Sequence, residues 1–162
     1  MGGKSVARVE RPPTTPIHPA TEKNTPHIFT RSQYLRGKGA KLILASHAGR
    51  PKGKVVESLR MGFISKTLAD IMGVPVQQAP DCLGEDVEKM VGELEEGGVM
   101  LLENVRFHAG EQTNDPGFCK NLVSALRPDV YVNDAFGTVH RAHASTAGVR
   151  KFIQGPKVVR CN

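Results

Sequence analysis

The stretch Leu42-Ile43-Leu44-Ala45-Ser46-His47-Ala48-Gly49-Arg50-Pro51 decides the reading of the fold. Four apolar residues in a row, too few for a helix, suit a strand buried on both faces of a parallel sheet. The run empties at once into a polar loop carrying a histidine, a glycine and an arginine. The same device returns twice. Val99-Met100-Leu101-Leu102 runs into Glu103-Asn104-Val105-Arg106-Phe107-His108, and Val130-Tyr131-Val132-Asn133 runs into a loop holding Asp134, His140, Arg141 and His143. Each strand thus ends in one arginine and at least one histidine.

Between these strands the periodicity becomes helical. Ser58 is expected to cap a helix with Leu59, Phe63, Leu68, Ile71 and Met72 inward, ending at Gly73. A short strand is expected over 74–78. Val87, Met90, Val91 and Leu94 mark a second helix, stopped by Gly97-Gly98. Asp115 as cap and Pro116 at the first helical position open a third, with Phe118, Leu122, Val123 and Leu126 inward. Four strands over 41–45, 74–78, 99–102 and 129–133, separated by helical crossovers, define an α/β fold. The expected form is a parallel sheet with helices on both faces, Rossmann-like and incomplete at its N-terminal strand.

Composition narrows the class. At 162 residues, 39% of them hydrophobic, the chain is long enough for one domain with its own core. No apolar run approaches the roughly 20 residues of a membrane span, so a soluble protein without membrane partners is expected. Cys82, Cys119 and Cys161 are odd in number and form no CxxC pair, which disfavours a disulfide framework or a zinc knuckle and fits a reducing compartment. Residues 1–33 hold five of the eleven prolines among several threonines and lack apolar periodicity, so a disordered leader is expected there.

Parallel strands release their following loops on one edge of the sheet, so Arg50, Arg106 and Arg141 are expected to face one crevice. Planar guanidinium forks match phosphate or carboxylate, and three of them form a cradle for a small, multiply charged anion. Gly49 and Gly137 admit backbone amides to the same anion. His47 belongs with this site, and His108 reads as structural. Asp134 orients Arg141 or His140, or caps its turn. His140 and His143, at i and i+3, lack a third ligand beside them, so no metal site is expected. The net charge of +6 also admits a basic nucleic-acid-binding module, but aromatic residues are only 5% of the chain, which disfavours a base-stacking platform.

The three loop motifs, together with Ala79-Pro80-Asp81-Cys82 and Asn114-Asp115-Pro116, resemble the N-terminal domain of phosphoglycerate kinase over about residues 34–152. The resemblance implies phosphoryl transfer between 1,3-bisphosphoglycerate and ADP, of which this chain would supply only the glycerate-binding half. It implies that His47, Gly49, Arg50, Arg106 and Arg141 bind 3-phosphoglycerate, with His140 and His143 in an accessory basic cleft and no catalytic residue in the chain. Mg-ATP or Mg-ADP serves the full-length family, with no cofactor held by this chain. A monomer in the cytoplasm, or alternatively in a plastid, is implied.

The departures from the family are as specific as the match. The Asp-Phe-Asn run that normally ends the first strand is not recognisable, and the arginine that stabilises the transferring phosphoryl group would fall near Asn24, with Arg31 out of phase. Ala48 stands where leucine is usual. Residues 153–162 read as a divergent tail, and no nucleotide domain is expected within these 162 residues, so a non-catalytic anion-binding fragment or truncated gene product is the alternative expectation.

Overall fold

The computed structural model describes residues 5–10, 26–134 and 141–159. In chain order it contains β1 (Ser5–Glu10), α1 (Pro26–Gly37), β2 (Lys41–Ser46), α2 (Gly62–Met72), β3 (Val76–Gln78), α3 (Glu85–Glu93), β4 (Val99–Leu101), α4 (Ala109–Thr113), α5 (Pro116–Leu126), β5 (Val130–Asn133) and β6 (Lys157–Val159). The strands form one sheet in the order β3-β4-β2-β1-β5-β6. Every pairing is parallel.

Alternation along β2 assigns the two faces. Ile43 and Ala45 enter a core with Met100 of β4, Tyr131 of β5, Val87 of α3, and Phe118, Leu122 and Leu126 of α5. Leu42 and Leu44 enter the opposite core with Val99 and Leu101, covered by Leu35 of α1 and by Ile64, Leu68 and Met72 of α2. Helices therefore cover both faces, as a parallel sheet requires. Asp115 caps α5 by accepting from the Phe118 N–H at 2.6 Å, and Gly73 closes α2 in the left-handed region at φ 65°.

Three readings need correction. The sheet is not incomplete at its N-terminal strand. Ser5–Glu10, within the expected leader, pairs with β2 on one side and β5 on the other, and α1 begins at Pro26. The proline-rich sequence that follows hides this strand from a reading by composition. Lys157–Val159, within the expected tail, pairs with β5 at the sheet edge. Its three residues are too few to show a period.

The start of α2 also differs. Ser58 lies in a 3-10 turn, Glu57–Leu59, and the α-helix begins only at Gly62. The buried positions become Met61, Ser65 and Met72, while Phe63 is 81% exposed and Ile71 is also exposed. Replacing Ile43 by alanine is therefore expected to cost about 2–5 kcal/mol in urea unfolding. Phe63→Ser should stay within about 0.5 kcal/mol of the parent, as an exposed substitution does.

Candidate functional site

The carboxyl ends of β2, β4 and β5 share one edge of the sheet, and the loops that follow them are bonded to one another. The loop after β4 is the hub. Buried Asn104 donates from Nδ2 to the carbonyls of Ala48 at 2.8 Å and Leu59 at 3.0 Å, both in the segment after β2. Its Oδ1 accepts from the Arg106 N–H at 3.1 Å, turning the chain into the 3-10 turn Val105–Phe107. Glu103, also buried, accepts from the backbone N–H groups of Met61 and Asn104, each at 2.8 Å, and from Arg60 Nη1 at 3.2 Å. One carboxylate thereby starts α2 and fixes the hub.

Arg106 is only 6% exposed, and its Nη1 donates to the Gly49 carbonyl at 2.9 Å. The Gly53 N–H donates in return to the Arg106 carbonyl at 3.1 Å. Gly49 sits at φ 61°, and a Cβ there would lie 2.8 Å from the Leu59 side chain. Glycine is thus favoured at this position by its left-handed backbone and by the nearby Leu59 side chain.

The loop after β5 is tied to the hub through α4. Glu111 accepts at Oε2 from the Ser145 N–H at 2.9 Å and at Oε1 from the Ser145 hydroxyl at 2.6 Å. Thr146 Oγ1 donates to the Arg141 carbonyl at 2.7 Å. Arg106 is thus bonded to Gly49, Glu111 to Ser145, and Thr146 to the Arg141 carbonyl. Burial pushes the Glu111 pKa up, opposed by its bonds to Ser145 and by the charges of Arg106 and His108.

The expected site residues differ in setting. Arg50 and Arg141 are exposed, His47 is half-buried and Arg106 is buried. His143 is half-buried, with Nδ1 at 3.8 Å from Glu111 Oε1. His140 and Gly137 lie outside the described residues. Asp134 pairs with Arg31 Nη1 of α1 at 2.9 Å, a partner not foreseen. His108 lies 2.6 Å from Asp81 Oδ1 and stacks on Phe118 with ring centroids 5.1 Å apart.

Glu103, Asn104 and Glu111 were not singled out from sequence. The available signal for the first two was a charged and an amide residue directly abutting the apolar run of β4. Glu111 offered none, because its partner Ser145 lies 34 positions away.

A sequence profile of the family Phosphoglycerate kinase matches residues 23–159. The chain belongs to the phosphoglycerate kinase family. It is 56% identical over 122 residues to the cytosolic phosphoglycerate kinase of Triticum aestivum, an alignment covering 75% of this chain and 30% of that protein. It is 52% identical over 122 residues to phosphoglycerate kinase 1, chloroplastic, of Arabidopsis thaliana, covering 75% of this chain and 25% of that one. Superposition on the crystal structure of phosphoglycerate kinase from Pyrococcus horikoshii OT3 gives a TM-score of 0.78 at 26% identity, covering 97% of this chain and 40% of the other. The chain thus spans less than half the length of these relatives. Among the described residues no helix is long and apolar enough to cross a membrane.

Two measurements test this network. Asn104→Ala leaves the Ala48 and Leu59 carbonyls without their donor and should cost about 1–3 kcal/mol in chemical denaturation. For Glu111 the folded-state pKa is raised, so its stabilising contribution is fullest where the group is protonated and declines as pH rises through the folded value. Glu111→Gln, which does not ionise, should therefore gain on the parent as pH rises above the ordinary carboxylate range; a pH-independent difference would contradict the buried, raised carboxyl.

Proposed function

We propose that this chain acts as the glycerate-binding half of phosphoglycerate kinase. Arg50, Arg106 and Arg141 would hold the phosphate of 3-phosphoglycerate or 1,3-bisphosphoglycerate, with His47 and Gly49 shaping the pocket. The observation that supports this reading is that the loops bearing the three arginines follow parallel strands and are bonded to neighbouring segments at the carboxyl edge of the sheet. Preorganised charge is what phosphoryl transfer demands of a protein, because catalysis there rests on positioning and charge neutralisation. His143, on the same segment as Arg141, would belong to the accessory basic cleft, and His140 is assigned there by its sequence position alone.

The family uses a magnesium nucleotide, and the starts of α2, α3 and α5 do not fit one. The Met61 N–H at the start of α2 is taken by Glu103. Glu85, Asp86 and Glu88 crowd the first turn of α3, and Asp115 occupies that of α5. Carboxylates at these positions oppose a polyphosphate, which a helix N-terminus otherwise attracts. The 162 residues alone would therefore bind the glycerate substrate without turning it over. The cytosolic and chloroplastic relatives leave both compartments in view, and a monomer with a small-molecule partner is the form proposed.

Titration of the chain with 3-phosphoglycerate by NMR or calorimetry tests the assignment. Saturable binding is expected, and Arg50→Ala, a change at an exposed position, should weaken it by roughly tenfold to a hundredfold, the equivalent of about 1.5–3 kcal/mol for a charge-assisted bond. Arg106→Lys keeps the charge but loses the fork that meets Gly49, so it should weaken binding and also lower stability. Absence of saturable shifts in the folded parent, or an Arg50→Ala variant that binds equally well, would reject the cradle. Robust ATP formation from 1,3-bisphosphoglycerate and ADP by the chain alone would reject its proposed dependence on a nucleotide-binding partner domain.

A further inference from the structure

A second cluster of chemistry-bearing side chains lies beside the anion site and takes no part in it. Asp81 and Cys82 stand in the loop between β3 and α3, and His108 follows the 3-10 turn that carries Arg106. One ligand atom from each of these three residues lies within 4.8 Å of the others. Nothing in the anion cradle calls for a carboxylate, a thiol and an imidazole to meet here.

We infer that Asp81, Cys82 and His108 form a binding site for a divalent transition-metal ion of the zinc type. The donor set decides the class. One sulfur, one nitrogen and one oxygen suit a borderline ion such as Zn²⁺ or Co²⁺, whereas Mg²⁺ and Ca²⁺ take oxygen ligands. Tetrahedral coordination at bond lengths of about 2.0–2.3 Å places donor atoms roughly 3.3–3.7 Å apart. The widest separation must therefore close by about 1 Å, while the 2.6 Å contact between His108 Nε2 and Asp81 Oδ1 opens slightly. These are side-chain movements, not rearrangements of the fold.

The surroundings already orient each ligand. Stacking on Phe118 sets the plane of the His108 ring. The Cys82 thiol, which donates to the Glu103 carbonyl at 3.0 Å, would release that proton to solvent on ligating the ion, and Asp81 Oδ1 accepts from the Cys82 N–H at 2.6 Å. Outer partners of this kind are what align metal ligands. Cys82 is wholly buried, but the Asp81 and His108 side chains retain 48% and 25% exposure. That opening supplies an entry path and leaves a fourth coordination position to water. A bound ion would cross-link the β3–α3 loop to the loop carrying Arg106.

Titration of the 162-residue chain with Co²⁺, read by absorption, tests the site. The expected result is one equivalent bound, with a thiolate-to-cobalt charge-transfer band in the near ultraviolet, visible bands of tetrahedral intensity, and displacement by Zn²⁺. Cys82→Ser should abolish the charge-transfer band, and Asp81→Asn should weaken binding at least tenfold. The double variant Cys119→Ser/Cys161→Ser should bind as the parent does. Circular dichroism establishes that each variant is folded; should Cys82→Ser unfold, His108→Gln, which keeps the thiol, must still weaken Co²⁺ binding at least tenfold. No thiolate band in the folded parent, a band that survives in folded Cys82→Ser, a band lost with Cys119 and Cys161, or unaltered affinity in folded His108→Gln would each overturn the inference.

Discussion

The structure around the candidate site depends on one buried amide. Asn104 is fully enclosed, and its single side chain meets the Ala48 carbonyl, the Leu59 carbonyl and the Arg106 N–H. Buried backbone groups left without partners are costly, so the path of the chain after β2 and the turn after β4 must be correct together. Glu103 applies the same logic one residue earlier, gathering two backbone N–H groups and Arg60 around a buried carboxylate. An apolar residue of equal size at either position would fill the space and leave the loops without direction.

The site is basic in sequence, yet it is organised by buried acids. The described bonds of Glu103 run to α2 and Arg60, those of Glu111 to Ser145, and the ion pair of Asp134 to Arg31. Each carboxylate anchors a different loop or helix to the carboxyl edge of the sheet. In these bonds the acids engage backbone groups and cations other than Arg50, Arg106 and Arg141. These carboxylates therefore help to hold the loops that carry the three arginines.

The alternation of strand and helix between 41 and 133 was legible because buried parallel strands are short apolar runs and the covering helices keep a 3.6-residue period. The caps at Asp115 and Gly73 were legible for the same local reason. β1 was not, because SVARVE carries an arginine within a six-residue strand and is followed by proline-rich sequence, while its place in the sheet is set by partners 36 positions away in β2 and 124 away in β5. Phe63 misled because the 3-10 turn before α2 shifts the start of the helix to Gly62 and with it the buried face. The arginines were legible as ends of strands. What joins them was not, since Asn104 to Ala48 and Glu111 to Ser145 are contacts across 56 and 34 residues that no local pattern encodes.

The dual service of Arg106 follows from this geometry. Its guanidinium is held by the Gly49 carbonyl, so the residue that would meet an anion also closes the loop bearing Arg50. Ordering these loops is a conformational cost met during folding rather than at binding, which leaves more of any ligand's interaction energy to appear as affinity. Gly49 is the point at which the arrangement is most exposed to change. Its left-handed backbone aims the carbonyl at Arg106, and the Leu59 side chain occupies the space a Cβ would need. A side chain there would disturb the backbone turn and the arginine anchor at once, so the tolerance of this position is set by the joint demands of fold and site.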